Sequence, residues 1–220
     1  MNNIIFSIFT LAVISATTIS SADELSLSQS RWAQDVYDLS ISGDVKKGKK
    51  LAKKCDSCHG DNGVSEDNET PSLAGQKPSY TFKQMYDYQH KIRKNKTMFK
   101  KVKKLSYQDM ADISAWYQAQ KSEKKFGTDA PKLVTIGDEK RFLIGCDMCH
   151  NPAVMTGGFQ VPTLEGQKID YLIETLGEFK EGDRNNDEYK VMQDIAKLLS
   201  DEEIEMISKY YAAKPIIEDD

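Results

Sequence analysis

Two five-residue strings, Cys55-Asp-Ser-Cys58-His59 and Cys146-Asp-Met-Cys149-His150, hold all four cysteines and two of the three histidines of this 220-residue chain. They anchor an internal repeat. Sliding the chain on itself by 91 residues lays Cys146 on Cys55 and makes 11 of 39 aligned positions identical, among them Pro71/Pro162, Leu73/Leu164, Gly75/Gly166, Gln76/Gln167, Lys77/Lys168, Tyr80/Tyr171 and Arg93/Arg184. A three-residue insertion after Arg184 moves the offset to 94, where Met98/Met192, Leu105/Leu199, Ser106/Ser200, Ile113/Ile207 and Tyr117/Tyr211 coincide. Two copies of one small domain are implied, at 43–125 and 133–214. A linker at 126–132, punctuated by Gly127 and Pro131, joins them, and an acidic tail at 215–220 follows.

Each copy reads as all-α. Gly43-Asp44 and Gly137-Asp138 predict caps for a short helix running into each cysteine motif, and Ser79 and Asp170 predict N-caps for the next long helix. Ser106 with Asp109, and Ser200 with Glu203, have capping-box spacing ahead of apolar faces at Met110, Ile113, Trp116 and Tyr117 and at Ile204, Ile207, Tyr210 and Tyr211. Units of about 80 residues are marginal on side-chain burial alone, so a further apolar group is expected in each core.

Cys-x-x-Cys-His is the attachment signature of c-type haem. One helical turn presents both thiols to the vinyl groups, and the adjacent imidazole reaches the iron. A disulfide within each pair leaves the histidine unexplained. A thioredoxin-like pair needs a βαβ context, and a four-cysteine zinc site needs pairs about 15–20 residues apart, whereas Cys58 and Cys146 are 88 positions apart. Two covalently bound haem c groups are therefore expected, held by Cys55, Cys58, Cys146 and Cys149, with His59 and His150 as iron ligands.

The sixth ligand decides whether such iron binds small molecules or only passes electrons. His90 pairs with Glu181 in the repeat and suits a solvated helix face. Of the methionines beyond Met1, Met85 pairs with Leu176 and Met110 with Ile204, as core residues do; Met148, Met155 and Met206 pair with Ser57, Val64 and Asp112. Only Met98 and Met192 match each other, 39 and 42 residues after their histidines. They are the expected axial ligands, and thioether ligation raises the reduction potential relative to bis-histidine iron. Pro71 and Pro162 each follow the histidine by 12 residues, where the carbonyl can fix the imidazole or the ring can merely stiffen a loop. Arg93 and Arg184 are candidates to neutralise a haem propionate, the alternative being ordinary surface charge. Tyr80 and Tyr171 read as helix packing.

Residues 1–22 carry no charged side chain, and the 11-residue apolar run Ile4–Ile14 precedes Ser20 and Ala22 at the −3 and −1 positions of a cleavage site. A secretory signal peptide is expected, with an uncleaved anchor as the alternative. Residues 23–42 form an N-terminal extension in which Trp32, Val36, Tyr37 and Leu39 suit an amphipathic docking helix or a disordered leader. With 29% charged residues and mean hydropathy of −0.57, a polytopic membrane protein is excluded. The net charge of −4 divides into +6 over residues 23–127 and −10 over 128–220. Lys91, Arg93, Lys94, Lys96, Lys100, Lys101, Lys103 and Lys104 surround Met98 with no acid between them, a patch expected to steer toward an acidic partner or anionic membrane surface. The alternative is a solvated helix and loop. No nucleic-acid partner and no small-molecule substrate are expected.

The order CDSCHG, PSLAGQ-x3-Y, Arg93, Met98, LSYQDMADISAWY, followed by CDMCH, PTLEGQ-x3-Y, Arg184, Met192, LSDEEIEMISKYY, resembles the dihaem cytochromes of the cytochrome c4 family from about Gly43 to Lys214. The resemblance implies two tandem class I cytochrome c domains related by pseudo-twofold symmetry. It implies a periplasmic electron carrier, loosely membrane-associated, with a quinol-oxidising complex as donor and a haem–copper terminal oxidase as acceptor. A dihaem subunit of a flavocytochrome-type sulfide dehydrogenase is the alternative; a peroxidase is disfavoured because both copies supply a methionine. Asn151 in place of Gly60, and NPAVMTGGF after the second motif, depart from the first copy.

Overall fold

The computed structural model describes residues 37–122, 130–151 and 161–212. The signal segment, most of the N-terminal extension, the linker core, Met155 and the acidic tail lie outside the described residues. Both copies of the repeat belong to the compact unit Asp35–Asp220.

The first copy runs α1 (Val45–Ala52), α2 (Asp56–His59), α3 (Pro78–Gln89), α4 (Lys96–Val102) and α5 (Tyr107–Gln118). Asp44 caps α1 as expected, its Oδ1 accepting from the amides of Lys46 and Lys47 at 2.8 and 3.1 Å. Helix α1 lies against α5 at Gly48, where a Cβ would stand 1.9 Å from the Asp112 carbonyl oxygen. Only glycine permits that approach. Phe82, Met85, Met110, Ile113 and Tyr117 fill the core between α3 and α5, and the Ser106–Asp109 capping box opens α5.

The second copy runs α6 (Lys132–Thr135), β1 (Gly137–Asp138), β2 (Leu143–Ile144), α7 (Asp147–His150), α8 (Ile169–Glu181), α9 (Val191–Lys197) and α10 (Asp201–Ala212). Val134, Leu143, Leu172, Leu199, Ile204, Ile207, Tyr210 and Tyr211 form its core. Ser200 and Glu203 close the expected capping box on α10.

Two local expectations are corrected. Gly137-Asp138 opens no α-helix: Asp138 caps only the 3₁₀ turn Glu139–Arg141, its Oδ1 accepting from Lys140 N at 3.0 Å, and the two residues pair antiparallel with Leu143-Ile144 around that turn. Seven residues separate Asp138 from Cys146, against ten between Asp44 and Cys55, too few for an eight-residue helix. Arg141 clamps the hairpin onto α10 through Glu203 at 2.7 and 2.9 Å. Ser79 and Asp170 are likewise not N-caps. Helices α3 and α8 start earlier, with Lys77 and Lys168 at N-cap and Pro78 at the first turn, where its fixed φ and missing N–H cost nothing. The N-cap amides of Lys77 and Lys168 are satisfied by the side-chain carbonyls of Gln76 and Gln167.

Hydrogen bonds between the copies obey the repeat's own symmetry. Gln76 Nε2 donates to the Thr163 carbonyl at 3.0 Å and its Oε1 accepts from Thr163 N at 2.9 Å. Gln167 does the same to Ser72, at 3.0 and 2.8 Å. Ser72 and Thr163 are repeat equivalents, as are the two glutamines, so each copy presents the same patch to the other. This reciprocity is the signature of an isologous, pseudo-twofold contact.

Candidate haem sites

In α2 and α7 the histidine amide bonds the carbonyl of the first cysteine, at 3.0 Å for His59 and 2.9 Å for His150. That single turn stacks cysteine and histidine on one side. All four thiols are free, Cys58 exposed and the other three half-buried. Among the described residues no three His, Cys, Asp or Glu groups come together to hold a metal ion.

Both imidazoles are buried, at 7% and 8% exposure. His59 Nδ1 lies 2.8 Å from the Pro71 carbonyl and His150 Nδ1 lies 3.0 Å from that of Pro162. A carbonyl only accepts, so Nδ1 carries the proton and Nε2 keeps a lone pair. Burial lowers both histidine pKa values against the opposing pull of these hydrogen bonds, favouring the neutral, metal-binding form. Soft thiols, a neutral imidazole with its tautomer set, and a half-buried methionine in the first turn of the matching helix fit haem c well. Met98 is placed by Asn95, whose Oδ1 accepts from the Met98 amide at 2.9 Å. Met192 is placed by Asp187, which accepts from the Gln193 amide at 3.0 Å and the Gln193 side chain at 2.7 Å. His90 is exposed and stacked on Tyr86 with ring centroids 4.0 Å apart, as a solvated residue would be.

Arg93 and Arg184 are not surface charges. They are 9% and 5% exposed and cross between the copies: Arg93 Nη2 donates to Tyr171 Oη at 3.3 Å, and Arg184 Nη2 to Tyr80 Oη at 3.1 Å. The guanidiniums also stand over equivalent rings, Arg93 over Tyr88 at 5.0 Å and Arg184 over Phe179 at 4.5 Å. Tyr80 and Tyr171 therefore do more than pack helices, and Arg93 drops out of the basic surface patch. Burial alone would raise the Tyr171 phenol, but Arg93 and Arg184 outweigh it and hold its pKa at about 7. Gln76, Gln84, Gln167 and Asn186, which join the copies, were not singled out as site residues by sequence. The only signal was that Gln76 and Gln167 are identical across the repeat.

Apart from Arg93, the basic residues expected around Met98 are exposed: Lys91, Lys94, Lys96, Lys100, Lys101, Lys103 and Lys104. Lys101 Nζ bonds the Lys54 carbonyl at 2.8 Å. That bond ties the methionine-bearing helix to the segment entering Cys55.

A cytochrome c family model matches residues 45–121. The cytochrome c4 of Pseudomonas aeruginosa is 37% identical over 180 residues, covering 77% of this chain and 88% of that protein. A thiosulfate dehydrogenase electron acceptor of Stutzerimonas stutzeri is 32% identical over 171 residues, covering 73% and 79%. The crystal structure of reduced recombinant cytochrome c4 from Pseudomonas stutzeri superposes with a TM-score of 0.70 at 31% identity, covering 78% of this chain and 98% of that one. The duplicated motif, the reciprocal contact between copies and these likenesses agree: the chain belongs to the cytochrome c4 family, electron carriers built from two tandem class I cytochrome c domains with two covalently bound haem c groups.

Proposed function

We propose that Cys55 and Cys58 hold one haem and Cys146 and Cys149 the other, with His59/Met98 and His150/Met192 as axial pairs, the first domain spanning 43–125 and the second 133–214. When bound, each haem would supply a one-electron iron centre, and ligation by both a histidine and a methionine would leave it no site for a substrate. The protein's own groups do the rest. The Pro71 and Pro162 carbonyls hold the Nδ1 protons, and Asn95 and Asp187 hold the methionine-bearing turns.

The carrier works in the periplasm, taking electrons from a quinol-oxidising complex and delivering them to a haem–copper terminal oxidase. The observation behind this reading is the run of exposed lysines around Met98, one of which, Lys101, bonds the Lys54 carbonyl beside Cys55. It suits an acidic docking surface beside the first haem, and the same lysines favour peripheral association with anionic lipid. Among the described residues no helix is long and apolar enough to cross a membrane. A second reading has the protein accept electrons from a sulfur-compound dehydrogenase, and the 32% likeness to a thiosulfate dehydrogenase electron acceptor favours it. The test mixes the reduced protein with membranes containing the haem–copper oxidase, and separately mixes the oxidised protein with a thiosulfate dehydrogenase and thiosulfate. Fast, cyanide-sensitive oxidation supports the first reading. Reduction by thiosulfate with no oxidation by membranes replaces it with the second.

A further inference from the structure

Asn95 and Asn186 each stand two residues after the repeated arginine, Arg93 and Arg184, yet they do different work. Asn95 is exposed and caps its own methionine helix. Asn186 is 6% exposed and faces the other copy, its Nδ2 donating to Asp87 Oδ2 at 2.7 Å and to Gln84 Oε1 at 3.1 Å. Its backbone carbonyl accepts from Lys83 Nζ at 2.6 Å, and Lys83 pairs with Asp87 beneath it. Lys83 and Asp87 are 8% and 2% exposed, and their repeat equivalents are Glu174 and Glu178, so this cluster has no symmetric mate of the same chemistry.

The three extra residues after Arg184 create the difference. They free Asn186 from capping, and Asp187 takes that task on Gln193, next to Met192. Between the two anchors, Tyr189 and Lys190 both take left-handed backbone, φ 56° and 59°, a conformation that non-glycine residues hold only when the surroundings enforce it. One end of the Met192 segment is thus buried in the first domain and the other is clamped to the methionine helix.

We propose that Lys83, Asp87 and Asn186 are positioning residues through which the first domain sets the coordination of Met192, making the second haem, and not the first, sensitive to the contact between domains. The proposal rests on Met192 being an axial ligand. Loosening the segment weakens the thioether's hold and lowers the second haem's potential, because thioether sulfur favours ferrous iron.

The test uses the full dihaem protein. In its reduced state each axial methionine methyl is shifted far upfield by the porphyrin ring current, and Met98→Ala and Met192→Ala assign the two signals. Asn186→Ala leaves the Lys83–Asp87 pair and the Asn186 backbone in place. It should move the Met192 methyl signal and lower the second haem's potential while leaving the Met98 signal and first potential unchanged. The double variant Lys83→Met/Asp87→Leu, which strands no charge, should do the same. Equal movement of both methionine signals in Asn186→Ala, or movement of neither, overturns the proposal. Retention of both signals in Met192→Ala would instead defeat the ligand assignment beneath it.

Discussion

A guanidinium removed from water keeps its charge at low cost only where oriented oxygens and ring faces replace the solvent. Arg93 has the Tyr171 hydroxyl, the Gln84 carbonyl and the Tyr88 ring; Arg184 has Tyr80, Gln84, Asn186 and Phe179. The reciprocal effect falls on Tyr171, whose phenol is held at about 7 against an ordinary 10.0. The folded protein therefore releases this proton before the unfolded chain does. Between those pH values the unfolded state binds more protons, so the contribution to stability is full above pH 10 and fades as pH falls through 7. Denaturation midpoints across that range should rise with pH, and Tyr171→Phe should flatten the rise. A slope that survives in Tyr171→Phe would place the titration elsewhere.

At the scale of elements, the two copies enter their cysteine motifs differently. Helix α1 depends on Gly48 for its contact with α5, and the obstacle a side chain would meet is backbone, the Asp112 carbonyl. Backbone in the middle of a helix cannot step aside as a flexible side chain can. Gly48→Ala should therefore cost about 1–3 kcal/mol in chemical denaturation even though alanine is the better helix former. Among the described residues the second copy has no such helix crossing. Its β1–β2 hairpin is held by Arg141 between Asp138 and Glu203, a partly exposed ion pair whose loss should cost less. An unchanged midpoint in Gly48→Ala would mean that α1 contributes little to the first domain.

For the whole molecule the net charge of −4 conceals a polarity of +6 against −10, and that polarity governs encounters with partners. Lys100→Glu combined with Lys104→Glu reverses two exposed charges beside the Met98 helix without touching a buried contact. It should slow electron transfer to an acidic acceptor by about tenfold at low salt. The difference from wild type should shrink as ionic strength rises and the Debye length contracts. Equal rates for the two proteins at low salt would remove the lysine face from the docking surface.

What was legible in the sequence is what short spacing determines. Cys-x-x-Cys-His occupies one helical turn, so Cys55, Cys58 and His59 converge on one side whatever surrounds them, and the repeat alone separates Met98 and Met192 from the core methionines Met85 and Met110. The capping boxes at Ser106 and Ser200 are equally local. The tertiary structure decided everything that joins the copies. Ser72 and Gln167, Arg93 and Tyr171, Asp87 and Asn186 are 95, 78 and 99 residues apart in sequence, and no local pattern says whether a repeated glutamine or arginine faces water, its own core or its twin. Asn95 and Asn186 show why. They are the same residue at the same spacing from the repeated arginine, and a three-residue insertion, by changing where the backbone runs, sends one to cap a helix and buries the other in the neighbouring domain.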